Sequence, residues 1–465
     1  MRNRITLLTF CLLLIIQHSG FAKDNLETHP FSVIDLVTMK RISDPQISPD
    51  NERIVFVLRT TDMEANRGRT DLWMVNGNGK NLQQLTTNLA GDFSPRWSPS
   101  GDAVYFLSTR SGSSQIWKLH MNGGEPMQVT DYPLGVSNLV VSPDGKHLAF
   151  TIDVFTDCET IQCTKDKLEE IASRKATGVL YDKLFIRHWD TWKDGRRSHI
   201  FVISAEGGKA VDVMKGIDAD SPSKPFGGPE EITFTPDGKG IIFTARVAGK
   251  EEAWSTDFDL YHVPIDGSRP AQCLTEENQA WDTNPVFSPD GKTLAYLVME
   301  KPGYESDRFR IMLKEWPSGK LRNLTENWDR SPSTIFWSPD SKTIFAVAEN
   351  LAQGTLFSIT LESGAVGIVV NDGHVRSPAS AGKRIVYGLD NLKSPVDLYS
   401  VKPNGKDIRK LTDINADKLE NIDMGDFEQF SFPGWNDEKV YGYVVKPANF
   451  NAEKEYPVAF LIHGG

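Results

Sequence analysis

One short phrase recurs along this chain and constrains its fold more than any other feature. It reads Gln46-Ile-Ser-Pro-Asp50, Arg96-Trp-Ser-Pro-Ser-Gly101, Val141-Ser-Pro-Asp-Gly145, Phe234-Thr-Pro-Asp-Gly238, Phe287-Ser-Pro-Asp-Gly291 and Trp337-Ser-Pro-Asp-Ser341. A degenerate seventh copy, Pro378-Ala-Ser-Ala-Gly382, leads into Lys383-Arg-Ile-Val-Tyr-Gly388. Proline presets φ for a turn, aspartate bonds its own backbone, and glycine accepts the left-handed conformation. An alternating strand follows, as in Lys292-Thr-Leu-Ala-Tyr-Leu-Val298. A second strand signature comes later in the unit: Asp71-Leu-Trp73, Gln115-Ile-Trp117, Asp259-Leu-Tyr261, Asp397-Leu-Tyr399. Units then close on Leu85-Thr86, Leu274-Thr275, Leu324-Thr325 and Leu411-Thr412.

Seven units of roughly 45–50 residues, each a four-stranded meander, predict an all-β seven-bladed propeller over residues 45–413. One unit cannot bury both faces of its sheet, so the units must stack around an axis. Trp73, Trp97, Trp117 and Trp337 are expected at equivalent positions between blades. One interval is too long: Asp144 and Asp237 stand 93 positions apart, about two units. The excess is read as an insertion in blade 3, residues 155–198, with a short helix over Thr164–Thr177 stopped by Gly178. Long insertions on a repeat scaffold often carry recognition.

Arg2 and Arg4 precede an apolar stretch, Ile5–Ile16, and Gly20-Phe21-Ala22 offers a cleavage site. Residues 1–22 therefore read as a secretory signal peptide, and the protein as exported, periplasmic or extracellular. Removing them takes away two arginines and no acid, moving the net charge from −11 to −13. The charges are interspersed, which argues against nucleic acid, and no later segment is apolar enough to cross a membrane. Residues 23–44 are read as an N-terminal segment with a short helix. Cys158 and Cys163 suit a local disulfide in an oxidising compartment better than a metal site, leaving Cys273 unpaired. His120, His147, His199, His262 and His374 are scattered, without metal-ligand spacing; no metal or organic cofactor is implied.

The repeat ends after Thr412. Phe430–Pro447 reads as a hairpin around Asn436-Asp437, and Tyr456–Ile462 as a buried strand breaking into His463-Gly464-Gly465. Residues 414–465 are thus read as the incomplete start of an α/β-hydrolase domain. With the Ser-Pro-Asp-Gly units, Gly442-Tyr-Val-Val-Lys-Pro447 and Tyr456–Gly465 resemble the prolyl oligopeptidase family of serine peptidases. Leu184–Trp192 and Glu252-Ala-Trp-Ser-Thr256 resemble its dipeptidyl peptidase V and acylaminoacyl-peptidase branch.

That resemblance implies a serine exopeptidase acting on short peptides, with the propeller capping the hydrolase domain. It places Gly464 and Gly465 in the oxyanion loop, with His463 as their orienter. No Gly-x-Ser-x-Gly elbow follows position 413, so the catalytic triad is absent and the chain alone is expected to be inactive. A free α-amine of a substrate calls for a carboxylate in a partly dry cavity. Asp190, beside Arg187, His188 and Trp189, is one candidate; the alternative is an ion pair fixing the insertion, with Trp189 as packing. Glu251, Glu252 and Trp254 form the second group, with a structural role again the alternative. A non-catalytic periplasmic binding propeller of the translocation type is the competing function. Oligomeric state is not legible.

Overall fold

The computed structural model describes residues 28–184, 186–317 and 319–462. The signal-peptide reading of residues 1–22 and the assignment of His463, Gly464 and Gly465 lie outside the described residues. From Arg41 to Lys410 the chain forms successive antiparallel four-stranded meanders. Five are separate sheets, within 41–84, 92–128, 137–212, 232–273 and 282–323. Two more, 332–370 and 374–410, join into one eight-stranded sheet through a parallel pairing of Gly354 with His374.

The recurring phrase makes the turn between the first two strands of each sheet. In five copies the serine or threonine hydroxyl donates to the aspartate two residues on and accepts the N–H that starts the next strand. The distances are 2.6 Å for Ser288 to Asp290 and 3.0 Å for Thr293 N to Ser288. Thr235 and Asp237 repeat the pattern at 2.6 Å. Gly145, Gly238 and Gly291 all take positive φ, between 68° and 70°, where a side chain would be strained. The hydroxyl and the aspartate of the turn thereby bond within five residues, which is why so short a phrase specifies it.

The Leu-Thr closure has its own bond. Thr412 Oγ1 donates to Asp397 at 2.7 Å and accepts Leu398 N at 2.9 Å. Thr275 does the same with Asp259 and Leu260, and Thr130 with Gln115 and Ile116. The fourth strands are short, and in five of the sheets this hydroxyl ties the chain after the fourth strand to the third.

Apolar cores lie between successive sheets. Ile42, Phe56 and Val75 of the first sheet pack with Val386 and Leu398 of the last, so the series closes on itself. That closure is by packing, since each sheet keeps its own consecutive strands. A polar seam reinforces it: Lys40 and Asn415 exchange two 2.9 Å hydrogen bonds, and Lys418 donates to Thr38 O. Just before it, Ser32 and Asp35 cap the short helix Val33–Thr38 reciprocally.

Three expectations change. The tryptophans occupy two positions, not one. Trp97 and Trp337 end first strands, are buried, and donate to Gln46 O and Val286 O of the preceding sheet, whereas Trp73 and Trp117 lie on third strands. The insertion's helix runs Ile161–Ser173, because Thr160 caps it at Cys163 N, three residues earlier than expected; it ends before Gly178. The third strand resumes at Arg197, so the insertion spans 155–196. Finally, no strand forms over 456–462, where Val458, Phe460, Leu461 and Ile462 are 78–89% exposed. A segment apolar on both faces needs neighbouring strands and a cover, and the described residues supply neither.

Candidate functional site

In a meander the connections alternate ends, so all second-to-third-strand loops share one face. The insertion 155–196 of the third sheet and the loop 246–258 of the fourth are neighbours there. The hairpin Phe427–Pro433 and Lys439–Val445 meets the same face, in the sixth sheet: Gln429 Nε2 donates to Leu351 O at 3.1 Å, close to the Tyr443 hydroxyl. Lys393, in the equivalent loop of the seventh sheet, pairs with Asp426 at 2.6 Å.

Arg187-His188 and Thr191-Trp192 form a small hairpin whose turn is Trp189-Asp190. Trp189 takes a positive φ of 47° and is 67% exposed. It packs edge-on against His188 and at a tilt against Phe226, the centroids lying 4.9 and 5.2 Å away. Arg187 donates to Trp189 O and lies over Trp192, so it supports the turn and does not pair with Asp190. Asp190 is exposed, and among the described residues it has no ion pair. The structural alternative weighed for Asp190, an ion pair fixing the insertion, is therefore realised elsewhere.

It is realised at Glu252. Arg197 grips both carboxylate oxygens, at 2.8 and 2.7 Å, and Lys193 binds Oε1 at 2.6 Å. Arg197 also reaches Asp218 at 2.8 Å and Asp220 at 3.0 Å, and Lys224 bridges Asp220 to Asp153. Burial opposes ionisation of Glu252, but the Arg197 and Lys193 hydrogen bonds outweigh it and hold the carboxyl down at about 2. Burial likewise opposes charge on Arg197, and Glu252, Asp218 and Asp220 more than compensate. This network ties the insertion, the third sheet and the fourth-sheet loop into one body. Glu252 already faces two cations, so its charge is balanced before any amine arrives.

Glu251 and Trp254, by contrast, are exposed on the same loop, Trp254 by 66%. Arg246 anchors this loop from below, donating to Ser255 O at 2.6 Å with its guanidinium 4.6 Å from the Phe258 ring centre. A cavity of about 560 Å³ runs from Leu180 and Tyr181 of the insertion to Arg197 and Glu252. No hydrogen bond or ion pair joins Asp190 to Glu251 or Glu252 among the described residues. Lys193 and Arg197 were missed by sequence reasoning; the adjacent Arg196-Arg197 pair opening a strand was the available signal. The sulfurs of Cys158 and Cys163 are bonded, beside the N-terminus of the insertion's helix. Among the described residues no cluster of histidine, cysteine and carboxylate donors is placed to hold a metal ion.

Comparison with known proteins bears on this face. The model of the TolB beta propeller domain matches residues 24–175. Dipeptidyl-peptidase 5 of Porphyromonas gingivalis is 30% identical over 439 residues, covering 92% of this chain and 62% of its own length. A probable dipeptidyl-peptidase 5 of Arthroderma benhamiae is 30% identical over 492 residues, covering 97% of this chain and 65% of its own. The chain thus spans under two thirds of these relatives. Among solved structures, an acylaminoacyl peptidase with a bound chloromethyl ketone superposes with a TM-score of 0.67 at 15% identity, over 90% of this chain and 59% of that one. The propeller domain of the trilobed protease from Pyrococcus furiosus superposes at 0.55 and 12% identity, over 82% of this chain and 97% of that domain.

Proposed function

We propose, from the premise that this chain belongs to the prolyl oligopeptidase family with its dipeptidyl-peptidase 5 relatives, that it is the propeller portion of an exported serine exopeptidase. On this reading the seven meanders are its blades, and residues 414–465 begin the hydrolase domain. The observation that carries the reading is the shared face. The hairpin 427–445 meets the end of the sheets where the insertion and the loop 246–258 also stand. A hydrolase domain continuing from it would close over Asp190, Glu251 and Trp254. His463, Gly464 and Gly465 would then form part of its oxyanion loop, with the nucleophile, base and orienting acid all outside this chain.

Substrates would be short peptides entering by their free N-terminus. Of the carboxylates at this face, Asp190 and Glu251 are available to an ammonium, whereas Glu252 acts as the frame that holds their loops. The match to a TolB propeller model favours the second reading, a non-catalytic binding module.

The test is to assay the protein extended through a complete hydrolase domain on dipeptide-linked chromogenic substrates, with N-acylated analogues as controls. We expect turnover of free-amine dipeptides by the extended protein and none by residues 1–465. Asp190→Asn or Glu251→Gln should raise KM for the free-amine substrates with little change for the acylated ones. An extended protein without peptidase activity would leave the binding module as the function.

A further inference from the structure

A second cavity, of about 670 Å³, lies between the fourth and fifth sheets, and one end of it adjoins that face, where Asp282 N donates to Phe258 O at 2.7 Å. Leu274 and Asn278 of the fourth sheet and its following loop line one side, and Tyr296, Met312 and Leu321 of the fifth line the other. Asp282, at the start of the fifth sheet, also lines it and is 1% exposed. Its Oδ2 accepts Asn278 Nδ2 at 2.8 Å, and its Oδ1 is buried without any hydrogen-bond partner. Asp257 Oδ1 is the other carboxylate oxygen among the described residues that is buried without a partner. Asp92, fully buried, receives both its bonds from Arg110 at 2.8 and 2.7 Å.

The surroundings favour a positive guest. Asp257 and Asp259 stand close enough to Asp282 for their charges to disfavour its ionisation, and no lysine or arginine contributes in the opposite sense. Burial, followed by those two charges, pushes the Asp282 carboxyl up to about 8. Glu276, Glu277 and Glu326 add negative charge to the lining. Two cations are present there, Arg310, engaged by Glu300, and Lys314. Among the described residues the carboxylates do not converge closely enough to chelate a metal ion.

We propose that this inter-sheet cavity binds a primary alkylammonium group, its head on Asp282 and its aliphatic stem along Leu274 and Met312. An ammonium carries three donors and no acceptor, which suits the unpartnered carboxylate oxygen beside the Tyr296 hydroxyl and the Asn278 amide. The site does not rest on the peptidase reading, since every residue lining it belongs to the fourth and fifth sheets or their adjoining loops. Binding takes Asp282 from acid to carboxylate, so one proton passes to solvent for each cation bound near neutral pH.

The probe is n-butylammonium, titrated calorimetrically into the whole chain at pH 7 in two buffers of different ionisation heat, with n-butanol as the neutral control. Saturable binding with a buffer-dependent heat, absent for n-butanol and weakened about tenfold or more in Asp282→Asn, is the expected result. Met312→Trp, which fills the cavity while keeping Asp282, should abolish binding and guards against a misfolded Asp282→Asn. Nα-acetyl-lysine amide in place of n-butylammonium separates the sources: tighter binding identifies a lysine side chain of a peptide, weaker binding a free amine. No saturable heat with n-butylammonium, or equal affinity in Asp282→Asn, overturns the proposal. So does binding seen only in Lys314→Ala, because the chain's own lysine would then be the occupant.

Discussion

The meandering sheets and the chain from Phe427 onward are built from similar residues and reach opposite outcomes. Phe106, Phe150 and Phe243 in the sheets are completely buried, whereas Phe430, Phe432 and Val445 in the hairpin remain 43–57% exposed. Polar groups divide the same way. Asp92 and Arg110 pair inside the second sheet, while Lys393 and Asp426 pair in the open beside the hairpin. Alternation makes a strand in both places, but only a facing sheet turns the apolar side of that strand into stability. The sheets carry their partners within the chain, and the hairpin's apolar faces have none among the described residues.

The sharpest way to break this comparison is truncation of one phenylalanine in each region. Phe243→Ala should cost about 3–5 kcal/mol in urea unfolding, and Phe432→Ala no more than about 0.5 kcal/mol. Equal losses would mean that the hairpin is packed as the sheets are. The ion pairs give the next effect. Arg110→Ala leaves Asp92 buried and unpaired, a loss of about 3 kcal/mol, whereas Lys393→Ala should leave the unfolding midpoint almost unchanged.

The pH dependence of stability sharpens the contrast between a buried acid with partners and one without. The Glu252 carboxyl is depressed to about 2, so its contribution is present above the unfolded value near 4.3 and is lost as pH falls toward 2. Asp282 is raised to about 8, so its contribution is full below about pH 4 and is lost as pH rises through 8. Glu252→Gln should therefore flatten the acid limb of a stability-pH curve, and Asp282→Asn the neutral-to-alkaline limb. Limbs unchanged by these substitutions would remove both assignments. Among the buried positions a smaller loss is expected at the strand closure: Thr412→Val removes one donated and one accepted bond and should cost about 1–2 kcal/mol.

Much of the scaffold was legible because its instructions are local. The Ser-Pro-Asp-Gly turns satisfy their own polar groups within five residues, so the same phrase gives the same turn wherever it occurs. The third-sheet insertion, read as 155–198 and observed as 155–196, stood out by length alone. The candidate site was legible only as a set of residue types. Glu251 and Glu252 are neighbours in sequence, and nothing in it says that one is gripped by Arg197, 55 positions away, while the other faces solvent.

The sequence by itself determined the repeat, the turn chemistry and the third-sheet insertion, because each depends on bonds between residues a few positions apart. Tertiary structure alone decided which carboxylates are free, which tryptophans bridge sheets, and where a cavity holds an acid with no partner. Those properties depend on groups that meet only when one sheet is set against the next, and no local pattern encodes that distance.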